Sequence, residues 1–194
     1  MLGQLPKTLT VCNRKYNIRT DFRVILRILS AFYDPDLLDR EKVFVCMKNI
    51  YVNFDSIPID DYEEAYRTAV HFIEGDLPKD DKPNPKVVNW EKDGALIFPE
   101  INKAAQCEVR EKEYLHWWTF LGYFQCIDRD GLWGLVMAIR YKKAVGKKLE
   151  SYEREFYDAN RKMCIVESEN YIQTPEDSMA EMFRELLKEG EIDE

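Results

Sequence analysis

Eight aromatic residues, Tyr114, Trp117, Trp118, Phe120, Tyr123, Phe124, Trp133 and Tyr141, fall within 28 consecutive positions. The whole chain has 25, so nearly a third of its ring-bearing surface must be accommodated in one stretch. From Glu111 to Ile127 the sequence reads EKEYLHWWTFLGYFQCI. Tyr114, Trp117, Trp118, Leu121 and Phe124 recur at i, i+3, i+4 spacing, while Leu115, Phe120 and Tyr123 occupy other sides. A helix that is apolar on most sides has to be covered on most sides. The segment is expected to be the central element of the fold or to present one side to another molecule, because Trp and Tyr are frequent interface anchors.

The rest of the chain is patterned for helices around this element. Thr8 to Ile18 (TLTVCNRKYNI) places two β-forming runs on either side of Asn13-Arg14, which predicts a small hairpin. Thr20 or Asp21 then caps a helix with Phe22, Ile25, Leu26, Leu29 and Phe32 on one face. Asp34-Pro35-Asp36 stops it. Asp39 opens a second helix with Val43, Cys46, Met47 and Ile50 inward, and Asp60 with Glu63 forms a capping box for a third through Phe72. Trp90 to Ala105 reads as one helix interrupted by Pro99. Leu132–Ala144 and Leu149–Cys164 read as two more, and Thr174-Pro175 starts a terminal helix to about Lys188. The fold class expected is mainly α, a multi-helix bundle with a small N-terminal β-hairpin.

Four regions follow. Residues 1–74 form the hairpin and three-helix module, and residues 75–89 an acidic linker with three prolines. Residues 90–165 form a C-terminal helical module built on the aromatic helix. Residues 166–194 are an acidic tail with an amphipathic helix bearing Met179, Met182, Phe183, Leu186 and Leu187. Such a helix either docks on the body or is offered to a partner's groove. The two modules pack together or stand as separate lobes.

The formal charge is −8, from 36 acids against 28 bases. Coating nucleic acid normally needs a basic excess, since phosphate contacts supply most non-specific affinity; bulk nucleic-acid binding is not expected. Cys12, Cys46, Cys107, Cys126 and Cys164 are scattered, with no CxxC pair, which suggests neither a disulfide framework nor a zinc site and fits a reducing compartment. Most sit among apolar neighbours and read as small buried hydrophobes. The N-terminus shows no charged-then-apolar signal pattern, and no apolar run approaches the ~18 residues that span a bilayer. The cytosol is the expected compartment.

Chemistry finds little purchase. The histidines are His71 and His116; neither has a Ser or Cys nucleophile beside it, and both read as core histidines satisfied by a carbonyl or carboxylate. No phosphate-binding, dinucleotide, HExxH or GxSxG motif is present. Asp60, Asp61, Glu63 and Glu64 suit a helix N-terminus. The expectation is a non-enzyme without metal or cofactor that works by binding other proteins. Arg140, Lys142, Lys143, Lys147 and Lys148 form the one local basic cluster, suited to the negative end of a helix and at least as well to an acidic protein segment as to phosphate.

Several segments carry a resemblance. IRTDFR (Ile18 to Arg23) after a short hairpin, then DPDLLDREKV (Asp34 to Val43), resembles the start of small tail proteins of siphophages and prophages of Gram-positive hosts, encoded just upstream of the tape measure. VNWEKDGALIF (Val88 to Phe98) and YLHWWTF (Tyr114 to Phe120) are similar to its second half, where a Phe-x-x-Asp-Ala-x-x-Ile-Tyr segment precedes His-Trp-Trp-Lys-Phe. The resemblance spans about residues 8–163. Thr119 replaces a commonly basic residue, Gly94-Ala95 replaces Ala-Glu, and the tail after Cys164 has no counterpart. The resemblance implies a tail assembly chaperone of the host bacterial cytoplasm, which binds the tape-measure protein, helps recruit tail-tube subunits, self-associates and takes no cofactor. On that reading Trp117, Trp118, Phe120 and Tyr123 lie in or directly under the partner surface, with Arg140, Lys142 and Lys143 near its rim. A structural tail or connector subunit and, further off, a nucleic-acid-binding regulator are the alternatives.

Overall fold

A computed structural model describes residues 3–75, 85 and 87–166. Most of the 75–89 linker and the tail helix near 175–188 lie outside the described residues. Among those described, eight α-helices and one two-stranded hairpin make the chain mainly α. They divide into two compact units, one formed by residues up to 75 with Tyr114–Trp118, the other by residues 87–113 and 119–166. Tyr114–Trp118 therefore groups with the N-terminal helices although it lies in the second half of the sequence.

In the first unit, strands β1 (Thr8–Val11) and β2 (Arg14–Asn17) pair antiparallel with Val11 opposite Arg14. The turn is therefore Cys12-Asn13, one residue before the predicted Asn13-Arg14, and both residues have positive φ, 45° and 61°. A two-residue turn that matches strand twist needs two such residues. Asn tolerates that conformation, whereas Cys12 is held in it from outside: Glu64 accepts its N–H at 3.1 Å and its Sγ–H at 3.2 Å.

Helices α1 (Phe22–Tyr33), α2 (Asp39–Ile50) and α3 (Tyr62–Ile73) complete the scaffold of this unit. Asp21 caps α1 by accepting from Arg23 N–H at 3.0 Å. The face of α1 is rotated from expectation. Phe22, Ile25 and Ile28 are buried, and Leu26, Leu29 and Phe32 are half-buried flanks. In α2 the expected Val43, Cys46, Met47 and Ile50 are all interior. Its open C-terminus is closed by Arg19, whose Nη1 donates to the carbonyls of Lys48, Asn49 and Tyr51 at 3.1, 3.0 and 2.7 Å. A cation there satisfies orphan carbonyls and opposes the helix dipole together. The Asp60–Glu63 box does not form. Residues Ile59–Asp61 make a 3-10 turn instead, and α3 begins at Tyr62 with no side-chain cap.

In the second unit, α4 (Gly94–Ala105) contains Pro99 as expected but starts four residues after Trp90. Asn89 holds those four in a turn, its Oδ1 accepting from Glu91 and Lys92 N–H. The aromatic helix α5 (Trp117–Gln125) takes up only part of the aromatic-rich stretch Glu111–Ile127, and it starts after Tyr114, which the spacing places on its face. Its first two residues count with the first unit and its remainder with the second. Helix α6 (Leu132–Ala144) has the predicted bounds. The predicted Leu149–Cys164 helix breaks at Asn160 into α7 (Ser151–Ala159) and α8 (Arg161–Cys164). The Asn160 side chain donates back to Phe156 O at 3.0 Å, and its backbone leaves the helical region.

Of the five cysteines, all free, only Cys46 and Cys164 are buried; the expectation of mostly buried thiols fails because Cys12 sits in a turn and Cys126 just past a helix end. No helix among the described residues is long and apolar enough to cross a membrane.

Gly134 packs so closely on the preceding loop that an added Cβ would overlap the Arg129 carbonyl. Gly134→Ala is expected to destabilise this unit by about 1–3 kcal/mol, the usual range for overpacking, against the helix-propensity gain that Ala gives elsewhere. Urea denaturation followed by far-UV circular dichroism measures it.

Candidate functional site

His116-Trp117-Trp118 is bonded through both backbone and side chains, and its geometry explains the order of the three residues. Helix α3 ends at Ile73, leaving its last carbonyls without intrahelical partners. The Trp117 indole Nε1–H donates to Ile73 O at 2.7 Å, and the Trp118 Nε1–H donates to Phe72 O at 2.9 Å. Two successive indoles thus close one helix end. Trp117 is 1% exposed, and Trp118 lies stacked on Phe72 with centroids 5.7 Å apart.

His116 fixes the approach. Its Nδ1 accepts the Trp118 N–H at 3.0 Å, which satisfies an orphan donor at the start of α5. That contact requires a lone pair on Nδ1, so the proton resides on Nε2, which donates to Pro6 O at 2.9 Å. Burial holds the His116 pKa below its ordinary value, with Pro6 O acting in the opposite direction. The strand-like run before it is pinned as well. Phe22 N–H donates to Leu115 O at 3.0 Å, Trp117 N–H to Thr20 O at 2.7 Å, and Leu115 N–H to Asp21 Oδ2 at 3.2 Å. Thr20 Oγ1 and Tyr114 OH are 2.6 Å apart. IRTDFR and YLHWW are thus two sides of one clasp within the first unit. Tyr114 stands before the helix rather than on its face, and its ring is half exposed.

The other predicted site residues belong to the second unit. Phe120 is fully buried, its ring 6.1 Å from both Trp90 and Phe98, and Phe124 lies 4.8 Å from Trp90. Tyr123 is half-buried. Arg140, expected at a rim, is instead interior. Its Nη1 donates to Asp93 Oδ2 at 2.6 Å and Val87 O at 2.8 Å, and its Nη2 to Asp93 Oδ1 at 2.8 Å and Met163 O at 2.6 Å. Both side chains are 4% exposed. A guanidinium fits this place because its planar fork serves a carboxylate and two carbonyls at once. Removing one member of such a buried pair typically costs about 3–5 kcal/mol. Lys142 is tied to Glu153 at 2.7 Å, and Glu153 also accepts the Glu150 N–H that opens α7. Lys143 remains exposed, its Nζ 4.2 Å above the Tyr157 ring.

The structure therefore sorts the seven residues. Trp117, Phe120 and Arg140 are interior, whereas Trp118, Tyr123, Lys142 and Lys143 keep accessible surface. Asp93, which the sequence did not single out, positions Arg140, and Asp21 and Glu64, read from the sequence only as helix-start residues, also hold Leu115 and Cys12. Glu64 and Asp61 also push the Cys12 thiol up to about 12, Glu64 contributing most. That thiol stays protonated and a weak nucleophile.

Two outcomes test the clasp. Trp118→Phe keeps the stacked ring and loses the donor to Phe72, for an expected cost of about 1 kcal/mol; Trp117→Phe also opens space in the interior and is expected to cost about 2–4 kcal/mol. Chemical denaturation of each variant gives both values. For His116, the unfolded chain binds a proton more readily than the folded one. Its contribution is whole above about pH 6.5 and is lost as pH falls through the lowered folded value. Tm is expected to fall from about pH 7.5 to about pH 5.5. His116→Asn, which keeps an acceptor for Trp118 N–H, is expected to flatten that slope in differential scanning calorimetry.

No curated protein and no solved structure matches this chain. A family model described as "Bacteriophage Gp15 protein" matches residues 1–164.

Proposed function

Since the chain belongs to the Bacteriophage Gp15 protein family, we propose that it is a phage tail assembly chaperone, acting in the host bacterial cytoplasm. It binds the tape-measure protein and helps recruit tail-tube subunits, by contact alone, without catalysis or a cofactor. Membership of a bacteriophage family over residues 1–164 carries this reading, together with the resemblance of IRTDFR and YLHWW to the small tail proteins encoded upstream of the tape measure.

The chemistry of holding another chain supports it. A tape measure is long, helical and prone to aggregate, so its chaperone needs ring-bearing surface set among charges. Tyr123, not fully covered, supplies a ring, while exposed Lys143 supplies a cation. Phe120 and Arg140 belong to the interior of the same unit. Self-association belongs to the same reading, with one chaperone copy following another along the tape measure.

Co-expression with a tape-measure fragment is expected to raise the soluble fraction of that fragment several-fold. An unchanged fraction would count decisively against the role. Lys143→Glu is expected to reduce co-purification of the fragment while leaving Tm within about 1 °C, as surface substitutions usually do; Tyr123→Phe is expected to reduce it less, since the ring remains. Finding the protein at stoichiometric levels in purified particles would instead assign it to the tail structure.

A further inference from the structure

We propose that an apolar row in the first unit, Phe44, Tyr62 and Ile59 over a floor of Phe54, is a docking surface for a helix of another protein, one whose apolar stripe is bordered by lysine or arginine. The row uses residues other than Tyr123 and Lys143, and the inference does not depend on the chaperone reading.

The first observation is that the exposed apolar groups are joined. Phe44, on the outward side of α2, is 52% exposed, and Ile59 is 53% exposed. Single apolar residues on a surface are ordinary, whereas a connected patch marks a contact site. Phe44 meets Phe54 edge-on with ring centroids 5.8 Å apart, and Phe54 lies 5.2 Å from Tyr62. Ile59 opens the 3-10 turn Ile59–Asp61, where the Tyr62 N–H bonds to Ile59 O. Side chains three apart eclipse in such a turn, so Ile59 and Tyr62 share a side.

The second observation is the spacing. Steps of 5.8 and 5.2 Å between rings bracket the pitch of an α-helix, about 5.4 Å. The two-residue repeat of a strand is longer, about 6.6 Å. A helix laid along the row presents one apolar side chain per turn to Phe44, to the gap over Phe54 and to Tyr62 with Ile59. This is the register that an amphipathic helix brings to an apolar surface.

The third observation is the charge around the row, and it selects the occupant. Residues 38–67 carry seven acids and four bases. The exposed charges are Glu41, Asp55, Asp60 and Glu63 against Lys48 and Arg67; Asp39, Asp61 and Glu64 are half-buried, as are Arg40 and Lys42. Lys48 is already tied to Asp55 at 2.9 Å, its Nζ 5.3 Å above the Phe54 ring. Asp61 and Glu64 are turned to Cys12. The N-terminus of α3 offsets about half a charge, which leaves the border negative. Two copies meeting through this row about a two-fold axis would bring identical acidic borders together, a repulsive arrangement. A helix rimmed by lysine or arginine meets the same border with the opposite sign.

Fluorescence anisotropy with the full chain and a labelled designed helix tests the proposal, the probe carrying leucine at one position per turn and lysine on the remaining faces. At about 0.15 M salt, Phe44→Ala and Ile59→Ala are each expected to weaken binding about ten-fold. Tyr152→Ala, which removes an exposed ring of the second unit, is expected to leave it unchanged. Equal affinity for wild type, Phe44→Ala and Ile59→Ala would overturn the proposal, since the probe would then be held by bulk charge alone. A probe with glutamate in place of lysine is expected to bind at least ten-fold more weakly; equal binding would overturn the choice of occupant. Asp60→Asn combined with Glu63→Gln keeps every apolar contact and is expected to narrow the difference between the two probes. Sedimentation of the chain alone closes the test: a dimer that Phe44→Ala dissolves would make a second copy the occupant and overturn the proposal.

Discussion

The end of helix α3 is what the architecture of the first unit turns on. A helix terminus leaves carbonyls that must find donors, and when it ends against packed rings rather than water those donors must come from the protein. Here Ile73 O takes its donor from Trp117, and Phe72 O takes one from Trp118 beside that of Gly75 N–H, the indoles lying more than forty residues further along the chain. His116, Thr20 and Asp21 hold the backbone that carries the indoles. Once this closure is in place, Tyr114–Trp118 is fixed to the N-terminal helices, and α5 leaves the clasp with its remaining residues free to build the second unit's interior around Trp90 and Phe98. A different residue at either indole position would supply rings or donors, but few side chains supply both.

This closure alters the meaning of an aromatic-rich segment. Trp-Trp beside His reads as binding surface when rings are counted. In the structure, one indole is wholly interior, the other is half covered, and both spend their N–H groups on backbone carbonyls. Other rings with accessible area are those of Tyr123, Tyr114 and Tyr157. Under the proposed chaperone role, contact falls to accessible residues such as Tyr123 and Lys143, while the indole N–H groups are committed to folding.

Legibility in the sequence followed the range of the forces involved. Helix α6 was readable to the residue, because its apolar pattern and its Gly131 start are local. The inward face of α2 was readable for the same reason. His116 as a satisfied core histidine could also be read from its apolar company, although its partner, Pro6 O, could not. What escaped was set at a distance. The hairpin turn moved by one residue because Glu64, on another helix, stabilises Cys12 in a left-handed conformation. Arg140 reads as part of a lysine-rich helix end and is interior only because Asp93 meets it from 47 residues away. Tyr114 and Leu115 read as part of α5 because they have helical spacing, but they pair with Thr20 and Phe22 as extended chain. The break at Asn160 carried a local signal, since Asn readily bonds to nearby carbonyls, and it could have been read.

Hydrogen–deuterium exchange of the full chain, alone and with a tape-measure fragment, tests the central claim most directly. The account predicts that the Trp117 and Trp118 amides exchange slowly in both conditions, while the fragment adds protection around Tyr123 and Lys143. Fast exchange at the two tryptophan amides in the free protein, or new protection centred on them when the fragment binds, would contradict it.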